Sequence, residues 1–447
     1  MILNHQQTRI QRAIWIYLAC VAFLTFFAWI PYLIHWPASG YFPLSHFRER
    51  FGDLANFASV HQKLANPDLE NFDHLAGTMF PRNYGPLAIL IYLFLLGVCS
   101  PYGVVVFLLI FIGALTFASY LLWRAARRSP GYRPFMAVAI FGTSLLAYPT
   151  AETEMRGNIE GLLWIGYAAG IGYMFLRKWA KSASVLAVAS CTKPYPLFLF
   201  VILLWRRKYK EIALGCAVLF VTTIGCLTLL GKGNALQGFH RIRASSAEFF
   251  ANYIVGFRDV REIVADQSLF QTSKSVARVL KARSLHLPPE NYTLQRSTRT
   301  GYILLAIYLP FAAISVTLVV FKIRNKPFLN QVFSLSICLT LFPLMAAVYT
   351  LTILYLPMGL FLLFLLRDVS TGRASIPQTR LLSILLLCAS LMAPVPILRM
   401  FAGDVRSMVL LCLLFLVINT PMPMAIDLPP SAGGREMVEA KQIDLMK

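Results

Sequence analysis

Long uninterrupted apolar blocks constrain this chain more than any other feature of its sequence. Crossing the hydrocarbon core of a membrane, about 30 Å thick, takes roughly 20 helical residues. Blocks near that length recur along the chain, at residues 13–36, 102–123, 212–230, 301–321 and 408–424. In lipid only helices and closed barrels satisfy the backbone, and these blocks lack the two-residue alternation of barrel strands. The sequence therefore predicts an all-α fold, a polytopic transmembrane helical bundle.

Composition excludes a soluble domain. Hydrophobic residues make up 57% of the 447 positions and charged residues 14%, against roughly 45–50% and about 25% in soluble proteins. The formal net charge of +21 is compatible with nucleic-acid binding. However, the basic residues stand in short groups between apolar blocks, as topology signals do. We therefore expect membrane lipid as a partner and no nucleic acid.

Cysteine and histidine spacing gives no sign of a metal site or another cofactor. The eight cysteines lie inside or at the edge of apolar blocks, without Cys-x-x-C or zinc-ligand spacing. Small buried apolar residues explain them. The seven histidines form no i, i+4 pair. The motifs of nucleotide-driven pumps and of serine hydrolases are also missing from the sequence.

The basic groups predict the topology, because short loops rich in lysine and arginine face the cytoplasm. Five such groups occur, within residues 124–133, 177–181, 206–210, 322–326 and 367–380. The first apolar block follows Arg9 and Arg12 and reads as a retained signal anchor with a cytoplasmic N-terminus. Long polar stretches at 37–86 and 231–300 are then outer loops of a multi-pass protein of the cell membrane.

The middle of the chain allows two schemes. In the first, residues 134–149 and 158–176 form an out-and-back pair, and residues 182–205 enter the membrane and return, broken at Pro194 and Pro196 near the midplane. In the second, each block crosses once and two basic groups lie outside. Both schemes give about 10–13 membrane segments in one domain, residues 1–424. Residues 425–447 form a polar tail of disordered composition.

Three polar features stand out against the apolar background. Asp53 follows the first span, where a carboxylate can act as a general base toward a substrate at the membrane interface; Asp68, Glu70 and Asp73 are rivals in the same stretch. Glu160 begins an apolar block, and Lys193 has about ten apolar or small residues on either side. A buried ammonium needs an anion, which is either a carboxylate such as that of Glu160 or a substrate phosphate.

The outer stretch 231–300 is basic, with eleven Lys and Arg against five Asp and Glu. Its cations include Arg241 and Arg243. Positive charge outside runs against the usual bias and suits the phosphate of a lipid head group, although solvated loop charge explains it equally well.

Several short motifs, in this order, resemble the C-type superfamily of membrane glycosyltransferases, and within it glycosyltransferase family 87, the polyprenyl-phosphate-mannose-dependent type. The likeness covers roughly residues 10–230. It is carried by Gly52-Asp53-Leu54, by Asn83-Tyr84-Gly85-Pro86-Leu87, by Arg156-Gly157-Asn158 with Glu160, and by Lys193-Pro194-Tyr195-Pro196. Gly85 stands where the family has a proline.

The resemblance implies an inverting transfer of a mannose-like sugar from a polyprenyl-phosphate donor to a hydroxyl of a glycan or lipid acceptor. It places the active site on the extracytoplasmic face and makes Asp53 the base. The residues that the resemblance implies in binding the donor phosphate or sugar are Tyr84, Arg156, Asn158, Glu160 and Lys193. The basic stretch 231–300 adds Arg241 and Arg243 as candidates for the phosphate. A lipid-linked sugar flippase, another secondary transporter or a scaffold without catalysis remain open. The distal half lacks a second Lys-Pro-x-Pro, which favours the enzyme over a transporter built from paired halves.

Overall fold

The computed structural model describes residues 2–33, 84–95, 160–255, 266–284, 298–346, 348–370, 376–392 and 402–423, with isolated positions between 105 and 150 and at 286. Within these ranges the regular elements are helices, as the apolar blocks predicted. They are α1 (Ile2–Leu33), α2 (Pro86–Leu93), α3 (Glu160–Phe175), α4 (Trp179–Ser190), a 3₁₀ helix (Tyr195–Leu199), α5 (Phe200–Trp205), α6 (Tyr209–Leu230), α7 (Ala235–Phe249), a π-helical turn (Phe250–Val255), α8 (Leu269–Ser284), α9 (Thr298–Ile323), α10 (Phe328–Leu341), a 3₁₀ helix (Val348–Leu354), α11 (Tyr355–Ser370), α12 (Gln378–Met392) and α13 (Ala402–Asn419).

Three stretches in the described part of the chain are helical, long and apolar enough to cross a membrane: α6, residues 300–323 of α9, and residues 350–369 around α11. The first two expose large apolar side chains such as Phe220, Val221 and Phe321. Because water disfavours such surfaces, these helices face lipid. The third is almost wholly buried and forms the centre of the bundle. The all-α membrane fold is thus confirmed, while the number of crossings stays a prediction.

The largest core surrounds α11. Helix α1 packs against α11 and α12, and the Tyr17 hydroxyl donates to Met358 Sδ at 3.2 Å. Helices α3, α10, α12 and α13 supply most of the remaining buried apolar side chains of this core.

The basic groups in the described part of the chain meet at one end of the bundle. The rings of Phe175 and Phe328, at the end of α3 and the start of α10, lie 4.7 Å apart. The Gln331 side chain donates to the Arg324 carbonyl, and Arg380 donates to the carbonyl of Asn419. This clustering of cations is the pattern expected of a cytoplasmic face.

Residues 179–205 form a helical hairpin with a broken apex. Helix α4 runs antiparallel to α3, since Gly166 faces Ala189 and Gly170 faces Leu186. The chain turns at residues 191–194 and returns through the 3₁₀ helix and α5. The Cys191 Sγ atom lies 3.5 Å from Thr223 Oγ1 of α6, about 21 Å along that helix from its first residue. The apex therefore lies beside the middle of a membrane-length helix, as the breaks at Pro194 and Pro196 predicted.

The basic turns that flank this hairpin share one unusual backbone geometry. Arg177 and Arg207 follow α3 and α5 with φ of 55° and 54°. At the first turn, the amide of Lys178 donates to the Tyr173 carbonyl and that of Arg177 to the Met174 carbonyl. Lys208 and Arg207 make the equivalent bonds at the second turn. This is the Schellman end of a helix, where glycine is the usual occupant.

A second break follows α10. Residues 342–346 leave the helix, and their backbone is bound by the segment before α8. The amide of Ala346 donates to Asp266 Oδ1 at 3.0 Å, and Gln267 N donates to the Ala346 carbonyl at 2.8 Å. Gln271 Nε2 donates to the Leu344 carbonyl at 3.3 Å. Residues 231–300, which the sequence indicated only as a polar outer loop, thus contain the helices α7 and α8.

Candidate functional site

Two motifs that lie more than 100 residues apart in the sequence are joined by backbone hydrogen bonds. The amide of Gly85 donates to the Thr192 carbonyl at 2.6 Å, and that of Leu87 donates to the Cys191 carbonyl at 3.2 Å. The start of α2 thus satisfies carbonyl groups that the broken apex of the hairpin leaves without helical partners. The segment around Tyr84 and the segment around Lys193 form one structural unit.

Lys193 and Tyr84 are in direct contact within this unit. The Lys193 ammonium lies 4.7 Å from the centre of the Tyr84 ring, within the range of a cation–π interaction. Both side chains are less than a tenth exposed. The structure therefore brings together two of the residues implied in donor binding, and it buries the cation at the level of the hairpin apex.

Gly85 makes this approach possible. A Cβ atom on Gly85 would collide with the carbonyl oxygen of Cys191 and crowd that of Thr192. Pro86 then begins α2, at the position where its missing amide proton is harmless. The Gly-Pro pair is therefore explained by close contact between two backbones.

Helix α3 brings the Glu160 backbone into the same neighbourhood. Glu160 is the first residue of α3, and Leu162, two positions later, packs against the apolar cluster formed by Tyr84 and α2.

Helix α7 separates the two arginines predicted at the site. Arg241 is half-buried and its Nη1 donates to the Leu230 carbonyl at 2.8 Å, so it caps the end of α6. The next residue, Ile242, packs against the cluster of Tyr84. Arg243 is exposed. Arg241 is thus fixed at the end of α6, and part of its function is structural.

An apolar cavity of about 660 Å³ begins at the residue after Lys193. It runs along the 3₁₀ helix and α5, and α6, α9 and α10 form its other sides. Its lining residues are Pro194, Tyr195, Leu197, Phe198, Phe200, Val201, Leu204, Ile212, Val316, Cys338, Leu339, Phe342 and Pro343. Five elements contribute, which is why no local sequence pattern could have revealed it. The lining is apolar, and one end of the cavity lies at the hairpin apex.

Three of the predicted site residues, Asp53, Arg156 and Asn158, lie outside the described residues. Within the described ranges, the His, Cys, Asp and Glu side chains form no group that could hold a metal ion.

The sequence model of glycosyltransferase family 87 matches residues 83–348, more than half of the chain and including the whole unit of Tyr84 and Lys193. The chain belongs to glycosyltransferase family 87. Comparison with curated proteins found no match.

Membership of glycosyltransferase family 87 makes this protein a membrane glycosyltransferase. The match extends further toward the C-terminus than the motif resemblance did, to α9, α10 and the second break. It begins after Asp53, so it carries no information about that residue. In this glycosyltransferase the matched segment therefore holds the buried lysine, the apolar cavity and both broken helices.

Proposed function

We propose that this glycosyltransferase moves a mannose-like sugar from a polyprenyl-phosphate donor to a hydroxyl of a glycan or lipid acceptor on the extracytoplasmic face of the cell membrane. The observation that supports this proposal is that the buried Lys193 directly precedes Pro194, where the lining of the apolar cavity begins. An isoprenoid phosphate has the matching shape, a long apolar tail ending in an anion. The lysine compensates the phosphate charge where water cannot.

The reaction is a single displacement. Asp53 takes the proton of the acceptor hydroxyl, and the oxygen attacks the anomeric carbon as the bond to the phosphate oxygen breaks. The configuration inverts, and polyprenyl phosphate leaves with the electron pair. Because phosphate is already a good leaving group, the main electrostatic requirement is cations that hold it, for which Lys193 and Arg156 are our candidates. Asn158 and Glu160 orient these cations or bind sugar hydroxyls.

Transfer from synthetic polyprenyl-phosphate sugars by the purified protein tests the proposal. We expect Asp53→Asn to bind the donor normally and to lose about 10²–10⁴-fold in rate, the usual contribution of a general base. Asp68→Asn, in the same stretch, is the matched control and should keep the parental rate. If Asp53→Asn transferred sugar at nearly the parental rate, Asp53 would not be the general base, and Asp68, Asp73 and Asp404 would be the next carboxylates to test. Retention of configuration in the product would exclude the single displacement.

A lipid-linked sugar flippase is the second candidate, and one observation favours it. Transporters often have broken helices in both halves, and this chain is broken at residues 191–194 and at 342–346. The second break thus occurs without a second Lys-Pro-x-Pro motif. Vesicles containing the protein and a fluorescent donor, without acceptor, separate the candidates. The flippase moves donor between leaflets, whereas the enzyme forms a new glycosidic bond only when an acceptor is added.

A further inference from the structure

Helix α8 turns its polar face toward the protein and its apolar face outward. Lys274 and Arg278 are 1% and 4% exposed, whereas Val276 and Leu280 are 53% and 61% exposed. A helix on a water-soluble surface shows the opposite arrangement, because burial of apolar side chains stabilises it. The outer face of α8 is therefore suited to lipid, and its inner face lines a polar region.

The start of α8 lies within the thickness of the bundle. The rings of Phe270 and Tyr308 are 5.1 Å apart, and Thr272 Oγ1 donates to Ser407 Oγ at 3.0 Å. These partners are about 22 Å and about 18 Å along α9 and α13 from the ends where the basic groups meet. A hydrocarbon core is about 30 Å thick. Ionisable groups at such a depth mark functional sites.

The polar face of α8 and the segment before it gather two carboxylates and two cations. Asp266 Oδ1 accepts from the amides of Ser268 and Ala346, and Lys274 Nζ donates to the Ile254 carbonyl at 2.9 Å. Asp404, at the start of α13, lies beside Thr272, Ser275 and Arg278.

Several buried atoms of this cluster have no hydrogen-bond partner in the described part of the chain. They include two acceptors, Asp266 Oδ2 and Gln271 Oε1, and two donors, Nε and Nη1 of Arg278. The three side chains are each at least 96% buried. Leaving such a group without a partner is unfavourable and rare in native structures. The arrangement favours a ligand that both donates and accepts.

We propose that the polar face of α8, with Asp266 and Asp404, binds the hydroxyl groups of a carbohydrate, which is the acceptor glycan. The atoms without partners include both acceptors and donors, so a phosphate, which accepts, or an ammonium ion, which donates, would leave one kind without a partner. A sugar hydroxyl donates to Asp266 Oδ2 or Gln271 Oε1 and accepts from Arg278. The identification of the glycan as acceptor rests on the proposed transferase function.

The second break connects this cluster to the donor cavity. Phe342 and Pro343 line the cavity, and Leu344, the next residue, accepts from Gln271. One short segment therefore has the apolar cavity on one side and the polar face of α8 on the other. A glycan held by α8 lies next to the segment that borders the donor.

Carbohydrate binding in the absence of donor tests the proposal. The full-length protein in lipid nanodiscs is mixed with the methyl glycosides of mannose, glucose, galactose and arabinose, and binding is measured by saturation-transfer NMR. We expect a signal from at least one glycoside with the parent protein. Arg278→Gln and Gln271→Met should each weaken it about tenfold to hundredfold, the scale of hydrogen bonds to charged groups. Arg283→Gln, an exposed arginine on the same helix, is the matched control and should bind like the parent.

Thermal unfolding and polyprenyl-phosphate binding show that each variant is folded and that the Lys193 site is intact. Arg278→Lys keeps the charge and should recover part of the binding if Arg278→Gln unfolds. In transfer assays the acceptor KM should rise and the donor KM should not. Equal glycoside signals for parent and variants, or none for the parent, would mean that ordered water alone fills the cluster, and would overturn the proposal. If the substitutions weaken glycoside binding but the parent protein transfers no sugar, the carbohydrate site would be supported and the transferase function contradicted.

Discussion

The amide of Gly85 donates a hydrogen bond of 2.6 Å to the carbonyl oxygen of Thr192. This bond joins the start of α2 to the turn of the α4–α5 hairpin, next to the Tyr84–Lys193 contact. The ammonium is therefore positioned by backbone groups of two distant segments. Its location depends on how closely those segments approach each other.

Substitution of Gly85 tests this dependence. Gly85→Ala places a Cβ atom against the Cys191 carbonyl oxygen, and we expect a loss of about 1–3 kcal/mol in the free energy of unfolding, as for other overpacked sites. Donor affinity should fall with it, because the backbones around Lys193 must separate. Thermal unfolding in detergent and donor binding measure the two effects.

Gly225→Ala is the control for this substitution. Gly225 lies within α6 with open space around the position of a Cβ atom, so alanine there should be neutral or stabilising by about 0.5–1 kcal/mol. Similar destabilisation by both alanines would show that the tight contact at Gly85 is unimportant.

Removal of the buried cation should weaken donor binding selectively. We expect Lys193→Gln to raise the Kd of polyprenyl phosphate about tenfold to hundredfold, because a hydrogen bond to a charged group is lost. Lys181→Gln, an exposed lysine on the same hairpin, should leave the Kd unchanged. Fluorescence competition with a labelled polyprenyl phosphate measures it. An unchanged Kd for Lys193→Gln would remove this residue from the phosphate site.

Blocking the apolar cavity should discriminate between donors by tail length. Val201 lines the cavity, and Val201→Trp should slow transfer from a full-length polyprenyl donor while sparing a donor with a very short tail. Val221, on the exposed side of α6, gives the matched control Val221→Trp. The ratio of kcat/KM for the two donors is the measurement. Equal losses for long and short tails would place the tail elsewhere.

The predicted sidedness can be measured by chemical labelling. Single cysteines at Asp68 and Glu290, in a cysteine-free background, should react with an impermeant maleimide in intact cells, since residues 37–86 and 231–300 are expected to face outward. A cysteine at Lys326, in a basic turn, should react only after permeabilisation. The reverse labelling pattern would show that the predicted topology is inverted.

The first broken hairpin could be predicted from the sequence because its signals are local. Prolines interrupt an apolar segment that is too short to cross twice, and basic groups close it on both sides. The contact of Lys193 with Tyr84 could be anticipated only through the family resemblance, since nothing near Lys193 in the chain points to residue 84.

The second break and the role of α8 could not be predicted in the same way. Pro343 lies in an apolar block with no neighbouring charge, so composition alone reads it as continuous helix. Helix α8 does carry a signal, the polar spacing of Gln271, Lys274 and Arg278 along one face. That pattern was uninformative without the depth of the helix, because in water the same stripe would face solvent. Asp53 stays a prediction.

The arginines at the two ends of the α4–α5 hairpin have left-handed backbone conformations, so the same residues affect both membrane insertion and backbone strain in the folded state. Arg177 and Arg207 occupy positions where glycine would relieve roughly 1 kcal/mol of backbone strain each. In the predicted topology, however, both are among the cations that keep their turns from being translocated while the chain is being synthesised. Selection for thermal stability alone would favour glycine at both positions, which would make the chain unfold later but weaken the topology signal of each turn. Thermostability and correct orientation are therefore competing demands on the same two residues.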